Sequence, residues 1–209
     1  MSTAAEQVRE PGLPAIYAVH GADHDNIVFL REATWDDFQA LLRMRGEHSA
    51  PRLSYLCGEV EIMSPSRTHE SIKSTLGCLV EAYCLERSIR FRTLGAWTLE
   101  SAPDERAAEP DECWIFGDAD ADRPQLAIEV EWTSGRIDKL EIYRMLGVAE
   151  VWWWRKGRLT PYGLEAERYV AMDQSRVLPE LDLAQLASFL DQPTAYDAVR
   201  AYRTALSGG

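Results

Sequence analysis

Asp111, Glu129 and Glu131 stand in stretches that otherwise read as apolar strand, "EPDECWIFG" at 109–117 and "LAIEVEWTSG" at 126–135. Alternation along "QLAIEVEW" puts Leu126, Ile128, Val130 and Trp132 on one face and Ala127, Glu129 and Glu131 on the other. Two carboxylates two residues apart on a strand lie about 7 Å from each other. If that face is buried, both acids are costly unless something positive pairs with them. A divalent cation would serve, with Asp111 joining from an adjacent strand, because hard cations such as Mg²⁺ take carboxylate oxygens and keep several waters. The simpler reading is a solvent-exposed face on which both glutamates are ordinary surface acids.

The segment after the strand weighs against the simpler reading. Lys139 lies in line with Ile142, Tyr143 and Leu146, at i, i+3, i+4 and i+7, so it begins the stripe that faces the core. An inward lysine after a strand with two acids is more informative than either feature alone. The competing reading is a lysine that buries its stem and keeps its head at the surface. Arg136 and Arg144 point outward on the same count.

These residues need strands and helices to hold them. "TWDDFQALLRMR" reads as a helix capped by Thr34, with Trp35, Phe38, Leu41 and Leu42 as its apolar stripe. "RLSYLCGEVEIM" alternates and breaks at Gly58, as a hairpin or bent strand does. In "SPSRTHESIKSTLGCLVEAYCLER", Ser64 is the expected N-cap and Pro65 the first helical residue. Ile72, Leu76, Leu79, Val80 and Tyr83 share one face of that helix, and His69 sits one turn earlier. A packed helix-start histidine is the plain reading of His69; orienting a carboxylate or touching phosphate is the other. "IRFRTLGAWTLES" reads as a bent strand pair around Gly95, and "GDADADRP" as a polar loop. "RIDKLEIYRMLG" is a helix ended by Gly147. "VAEVWWW", "GRLTPYGL" and "RYVAM" form a meander, in which alternation turns at least one of Trp152, Trp153 and Trp154 to the core. "LDLAQLASFL" and "PTAYDAVRAYRTAL" are closing helices. This order predicts a mixed α/β (α+β) domain, one mixed sheet flanked by helices.

The chain has 209 residues, enough for one medium domain over 15–209 after a loose tail at 1–14. No apolar run is long enough to span a bilayer, and the first residues lack the basic start and apolar stretch of a signal peptide; the expected location is the cytoplasm, with no membrane partner. Cys57, Cys78, Cys84 and Cys113 form no C-x-x-C pair and read as reduced thiols. The net charge of −12 argues against tight non-specific binding of nucleic acid, although acids clustered at a metal count in the same total.

"CGEVEIMSPSRTHE", "EPDECWIF", "IEVEWTSG" and "DKLEIYRMLGVAEVWWW" together resemble the Uma-two family, a branch of the PD-(D/E)xK nuclease superfamily, from about Leu53 to Tyr169. The resemblance implies a restriction-endonuclease-like core, a central mixed sheet with helices on both sides, and a Mg²⁺- or Mn²⁺-dependent endonuclease acting on DNA. Asp111 matches the Asp of "PD", and Glu129 the second acid. The superfamily's usual lysine would stand where this chain has Glu131; in this family it moves to the next helix, where Lys139 stands. Glu70 matches the helical acid that assists the metal, and Glu61 is a further candidate on the preceding strand. The resemblance thus implies Asp111, Glu129, Lys139 and Glu70 as catalytic residues and Asp111, Glu129 and Glu131 as metal ligands. Glu131 in the lysine position keeps a second reading open, a non-catalytic interaction domain that retains the nuclease fold; a third is hydrolysis of another phosphoester. The oligomeric state is open, though nucleases that cut both strands often pair by twofold symmetry.

Overall fold

A computed structural model of the chain describes residues 17–19, 23–95, 97–117 and 121–208. The tail expected at 1–14 lies outside the described residues, as does part of the 117–124 loop. Twelve strands fall into two six-stranded sheets. The first runs β1(Tyr17–Val19)–β2(Asn26–Arg31)–β4(Glu59–Ser64)–β3(Arg52–Leu56)–β7(Arg106–Ala108)–β6(Leu99–Ser101), antiparallel throughout. The second runs β12(Arg168–Ala171)–β11(Arg158–Glu165)–β10(Glu150–Arg155)–β9(Leu126–Glu131)–β8(Glu112–Phe116)–β5(Phe91–Thr93). Only its β9–β10 pair is parallel. Parallel neighbours need a crossover, and here it is the helix α3(Lys139–Met145). The mixed α/β expectation holds, but the strands divide between two sheets and only one of these is mixed.

Local chemistry explains the elements. Thr34 and Asp37 form a reciprocal capping box at the start of α1(Trp35–Arg45). Cys57 (φ 44°) and Gly58 (φ 90°) make the two-residue turn between β3 and β4, the positive-φ pair that matches the strands' right-handed twist. Helix α2(Arg67–Glu86) starts two residues later than the Ser-Pro signal suggests. Ser64 still pairs with Asn26 as the last residue of β4, and Ser66 takes the cap by accepting from the His69 N–H. A second correction concerns "IRFRTLGAWTLES": its two strands, β5 and β6, do not pair but enter different sheets. Hydrogen bonding of β5 to β8 and of β6 to β7 wins over the local hairpin.

Four helices pack on the second sheet, three on one face and one on the other. Leu126, Ile128, Val130, Trp152 and Trp154 face α2, α4(Leu183–Ser188) and α5(Ala195–Ser207). Ala127, Cys113 and Val151 face α3 through Ile142, Tyr143 and Leu146. Helix α1 covers Leu53, Tyr55 and Val60 of the first sheet. Strand β9 is therefore covered on both faces, which is why acids on it are buried at all. Among the described residues, no helix is long and apolar enough to cross a membrane.

Candidate active site

Strand β9 turns Glu129 toward α3, where it is 3% exposed. The Lys139 ammonium donates to Glu129 Oε2 at 2.7 Å, and the Tyr143 hydroxyl donates to Oε1. Asp138 caps α3 by accepting from the Glu141 N–H, and this fixes the first turn so that Lys139 and Tyr143, four residues apart, both reach the strand. Lys139 is itself 8% exposed. Burial, then the Glu129 charge, holds the Tyr143 hydroxyl's pKa well above its usual value, so it stays a proton donor.

Glu61 on β4, 3% exposed, belongs to the same group. It accepts the Arg136 N–H at 3.2 Å. Its carboxyl is pushed up by burial, although the Lys139 charge and the backbone N–H donors of Arg136 and Ile137 oppose this; the Glu129 charge adds to the rise. A cavity of about 80 Å³ lies between them, walled by Glu61, Glu129, Lys139, Gly135, Thr133 and Trp153. Ile137, Lys139, Glu131 and Trp153 also line a groove of about 560 Å³ that opens to solvent, so the cavity and the groove share a wall.

Asp111 precedes β8 and belongs to a different group. It is fully buried. Its Oδ2 accepts the Val130 N–H at 2.6 Å, and Oδ1 meets His69 Nε2 at 2.9 Å and the Arg52 guanidinium. His69 Nδ1 lies 3.1 Å from Asp25 Oδ2, so the imidazole bridges two carboxylates. Asp25 also accepts from the Ser66 and Thr133 N–H groups. Burial raises the Asp25 pKa, but the His69 and Ser66 hydrogen bonds outweigh it and hold the carboxyl below its ordinary value. Arg52, 3% exposed, extends to Glu70 at 3.0 Å, and Lys73 holds the other Glu70 oxygen at 3.1 Å.

The structure thus brings Glu129 and Lys139 together with Glu61. It leaves Asp111 one ladder position across from Glu129, next to the Glu112–Ile128 pair, but outside the cavity wall. Glu70 stands at the half-exposed edge of the Arg52 group. Glu131 lies on the cavity wall with its oxygens held by Ser134, Trp153 and Arg155. Arg52, Asp25 and the role of Tyr143 are not in the sequence reading. Tyr143 was within its reach, since it shares the inward stripe with Lys139; Arg52 and Asp25 are distant in sequence and carry no local signal. Of the three tryptophans, Trp152 and Trp154 are core, and Trp153 lies opposite Glu129 in register.

A divalent cation can be tested against these donors. A carboxylate offers about four lone-pair sites. Three of Asp111's are used by His69, Arg52 and Val130. Glu129 uses two, for Lys139 and Tyr143, and Glu61 is met by backbone N–H groups alone. Among the described residues, no three Asp, Glu, His or Cys side chains are gathered as a metal-ligand cluster. Glu61 and Glu129 fit the cation: they are hard oxygen donors on one polar cavity, with spare lone pairs and too little opposing charge for Glu61. Asp111 and Glu131 are already satisfied by the protein's own groups. The buried thiols offer nothing here, since burial raises Cys84 and Cys113 to about 12.

Residues 35–193 match the model of the Uma2 family, described as "Putative restriction endonuclease". Among solved structures the chain is similar to the crystal structure of "a putative nuclease belonging to DUF820 from Anabaena variabilis ATCC 29413", at 14% sequence identity and a TM-score of 0.45, covering 81% of this chain and 99% of that one. No curated protein matches the chain.

Proposed function

The chain belongs to the Uma2 family of restriction-endonuclease relatives, and on that basis we propose that it is a Mg²⁺- or Mn²⁺-dependent endonuclease that hydrolyses DNA phosphodiester bonds in the cytoplasm. The observation that carries the reading is the buried Lys139–Glu129 pair at 2.7 Å on a cavity that shares a wall with a solvent-open groove. The four free cysteines accord with a reducing compartment.

In this reading Glu129 and Glu61 would hold the cation, and Asp111, outside the cavity and already held by His69, Arg52 and Val130, would support them from across the ladder. A bound dication supplies charge neutralisation at the phosphate and a lowered pKa for water. The chain's residues do the rest. Tyr143 and Lys139 lock the Glu129 rotamer from both oxygens. Lys139, fixed at the mouth of the cavity, faces the negative charge that develops on the phosphate oxygens, and preorganised stabilisation of this kind contributes more to the rate of many hydrolases than any other single effect. The Asp25–His69–Asp111–Arg52 chain pins β8 and α2 to β9 and so holds the strand that carries Glu129. Glu70 and Glu131 position the cations Arg52, Lys73 and Arg155 around the site. A twofold homodimer would present two such sites to opposite strands; light scattering tests it.

The test is nicking of supercoiled plasmid in Mg²⁺ and Mn²⁺. Wild type nicks it. Loss of a group that stabilises transition-state charge costs about 10²–10³-fold, so Glu129→Ala and Lys139→Ala fall by at least that. Equal cleavage by all three proteins refutes the assignment. One observation favours a second reading, a non-catalytic domain: Asp111 is saturated by internal partners and Glu131 stands in the superfamily's lysine position. That reading gains if wild type neither nicks plasmid nor is stabilised by either cation.

A further inference from the structure

The groove that leads to Lys139 has a composition of its own. Its floor is one face of three neighbouring strands, in registered rows: Trp153 and Thr160, then Glu131, Arg155 and Arg158. Tyr162 continues the floor beside Val151, and the first turn of α3 makes the wall. Three cations line it, Lys139, Arg155 and Arg158, against two acids, Asp138 and Glu131. Asp138 is committed to capping α3, and Glu131 to Ser134, Trp153 and Arg155. Arg158 is exposed and has no ion-pair or hydrogen-bond partner among the described residues. A chain of net charge −12 therefore sets an unpaired guanidinium beside aromatic rings on the approach to its buried amine.

We propose that this groove binds an unpaired nucleic-acid strand: backbone phosphate on Arg158 and Arg155, bases against Trp153 and Tyr162, and the next phosphate led inward to Lys139. The proposal rests on the nuclease reading of the Glu129–Lys139 site and names the form of its substrate. Two features select an unpaired strand over a duplex. Bases in a duplex stack on each other and must unstack before they can meet an aromatic side chain. Aromatic residues interleaved with cations are the pattern by which proteins hold single strands without reading sequence.

The experiment measures binding apart from cleavage. Fluorescence anisotropy with a labelled 12-nucleotide single strand, and with the same sequence as duplex, is run on the full chain in EDTA and in Ca²⁺. Wild type binds the single strand more tightly than the duplex. Removing two phosphate contacts in R155A/R158A lowers the single-strand salt slope by about 1.4, at roughly 0.7 per contact, and weakens binding about tenfold or more. Both positions are exposed, so the melting temperature stays near wild type. Arg200→Ala/Arg203→Ala, on α5 away from the groove, leaves binding unchanged. Tighter binding of the duplex, or single-strand binding unmoved by R155A/R158A, overturns the proposal. If Glu129→Ala still abolishes plasmid nicking in either case, the nuclease reading stands and this one alone falls. If wild type binds the single strand as expected but Glu129→Ala nicks like wild type, the groove stands and the site assignment falls.

Discussion

Two buried ionic groups touch β9, one centred on Arg52 and the other on Lys139, and they are built to different ends. The Arg52 group is paired acid to base: Asp25, His69, Asp111, Arg52 and Glu70 meet one another and the N–H groups of Ser66, Val130 and Thr133, and what lacks a hydrogen bond is on the cation, at Arg52 Nε and Nη1, not on the acids. The Lys139 group is left open. Lys139 and Tyr143 engage Glu129 once on each oxygen, Glu61 is short of opposing charge, and a cavity separates the two acids. Buried charge that is fully paired specifies position; buried charge left with spare acceptors can take a ligand. The largest expected difference follows from this. Arg52→Met leaves Asp111 with too little opposing charge in a closed interior, a loss of about 3–5 kcal/mol. At about 2–4 °C per kcal/mol for this size, that is a fall of roughly 6–20 °C in calorimetry. Lys139→Met costs less than half as much, because Glu129 keeps the Tyr143 hydrogen bond and lies on a polar cavity instead of a packed interior. Equal losses would erase the distinction.

The cation test separates the groups next. At a hundred times its Kd a bound ion adds about 2.7 kcal/mol to stability. Mn²⁺ should raise the melting temperature of wild type and of Glu70→Gln, but not of Glu129→Ala or Glu61→Gln. Retention of the shift by both of the last two places the cation elsewhere. Tyr143→Phe comes third. It removes one hydrogen bond to a charged group, about 1.5–3 kcal/mol, yet leaves the lone pairs that face the cavity, so the Mn²⁺ shift survives.

The extent to which the sequence foretold each group follows the same divide. The Lys139–Glu129–Tyr143 part of the Lys139 group is local, and Glu61 alone joins it from a distant strand. Period-two alternation put Glu129 with Ala127, and the helical stripe turned Lys139 inward with Ile142, Tyr143 and Leu146; the burial agrees on both counts. The Arg52 group is built from residues 25, 52, 69, 70 and 111, joined only by tertiary structure. Alternation in "RLSYL" shows that Arg52 opens a strand but not which acid it meets. The same limit explains the sheets. The meander and the Thr34 cap are near-neighbour features and were legible. The division into two sheets depends on β3–β7 and β5–β8 pairings with no local signature. Asp111 was legible as an acid in a strand, but its saturation by Arg52 and His69 was not.

Acid should act on the two groups in opposite directions. The Asp25 carboxyl is held below its ordinary value in the fold, so its stabilising contribution is present above the unfolded-state pKa. That contribution is lost as pH falls through the lower folded value. Glu61 is raised, so its contribution is full below the unfolded-state pKa and erodes as pH climbs through the folded value. In EDTA, Asp25→Asn should flatten the acid limb of the stability curve, and Glu61→Gln should remove the loss on the rising side. Matching slopes in the two variants would mean that Glu61 is as well paired as Asp25.

Gly135→Ala is the smallest change and the sharpest probe of the open group. A Cβ there would stand 2.6 Å from Glu61 Oε2, 3.2 Å from its Cδ and 3.3 Å from Oε1. The backbone at Gly135 lies outside the left-handed region, so alanine fits the chain and the strain falls on the Glu61 side chain. That carboxylate is the free end of a flexible side chain beside a cavity, so it swings away and the fold stays intact. What is lost is the Arg136 N–H hydrogen bond, about 1 kcal/mol, a few degrees in melting temperature. What should change more is affinity: groups that orient metal ligands are typically worth 10–100-fold, so Mn²⁺ titrated by calorimetry should bind at least tenfold more weakly. An unchanged Mn²⁺ affinity would show that Glu61 donates nothing to the cation, and the Lys139 group would then be a second closed ion pair of the same kind as Arg52's.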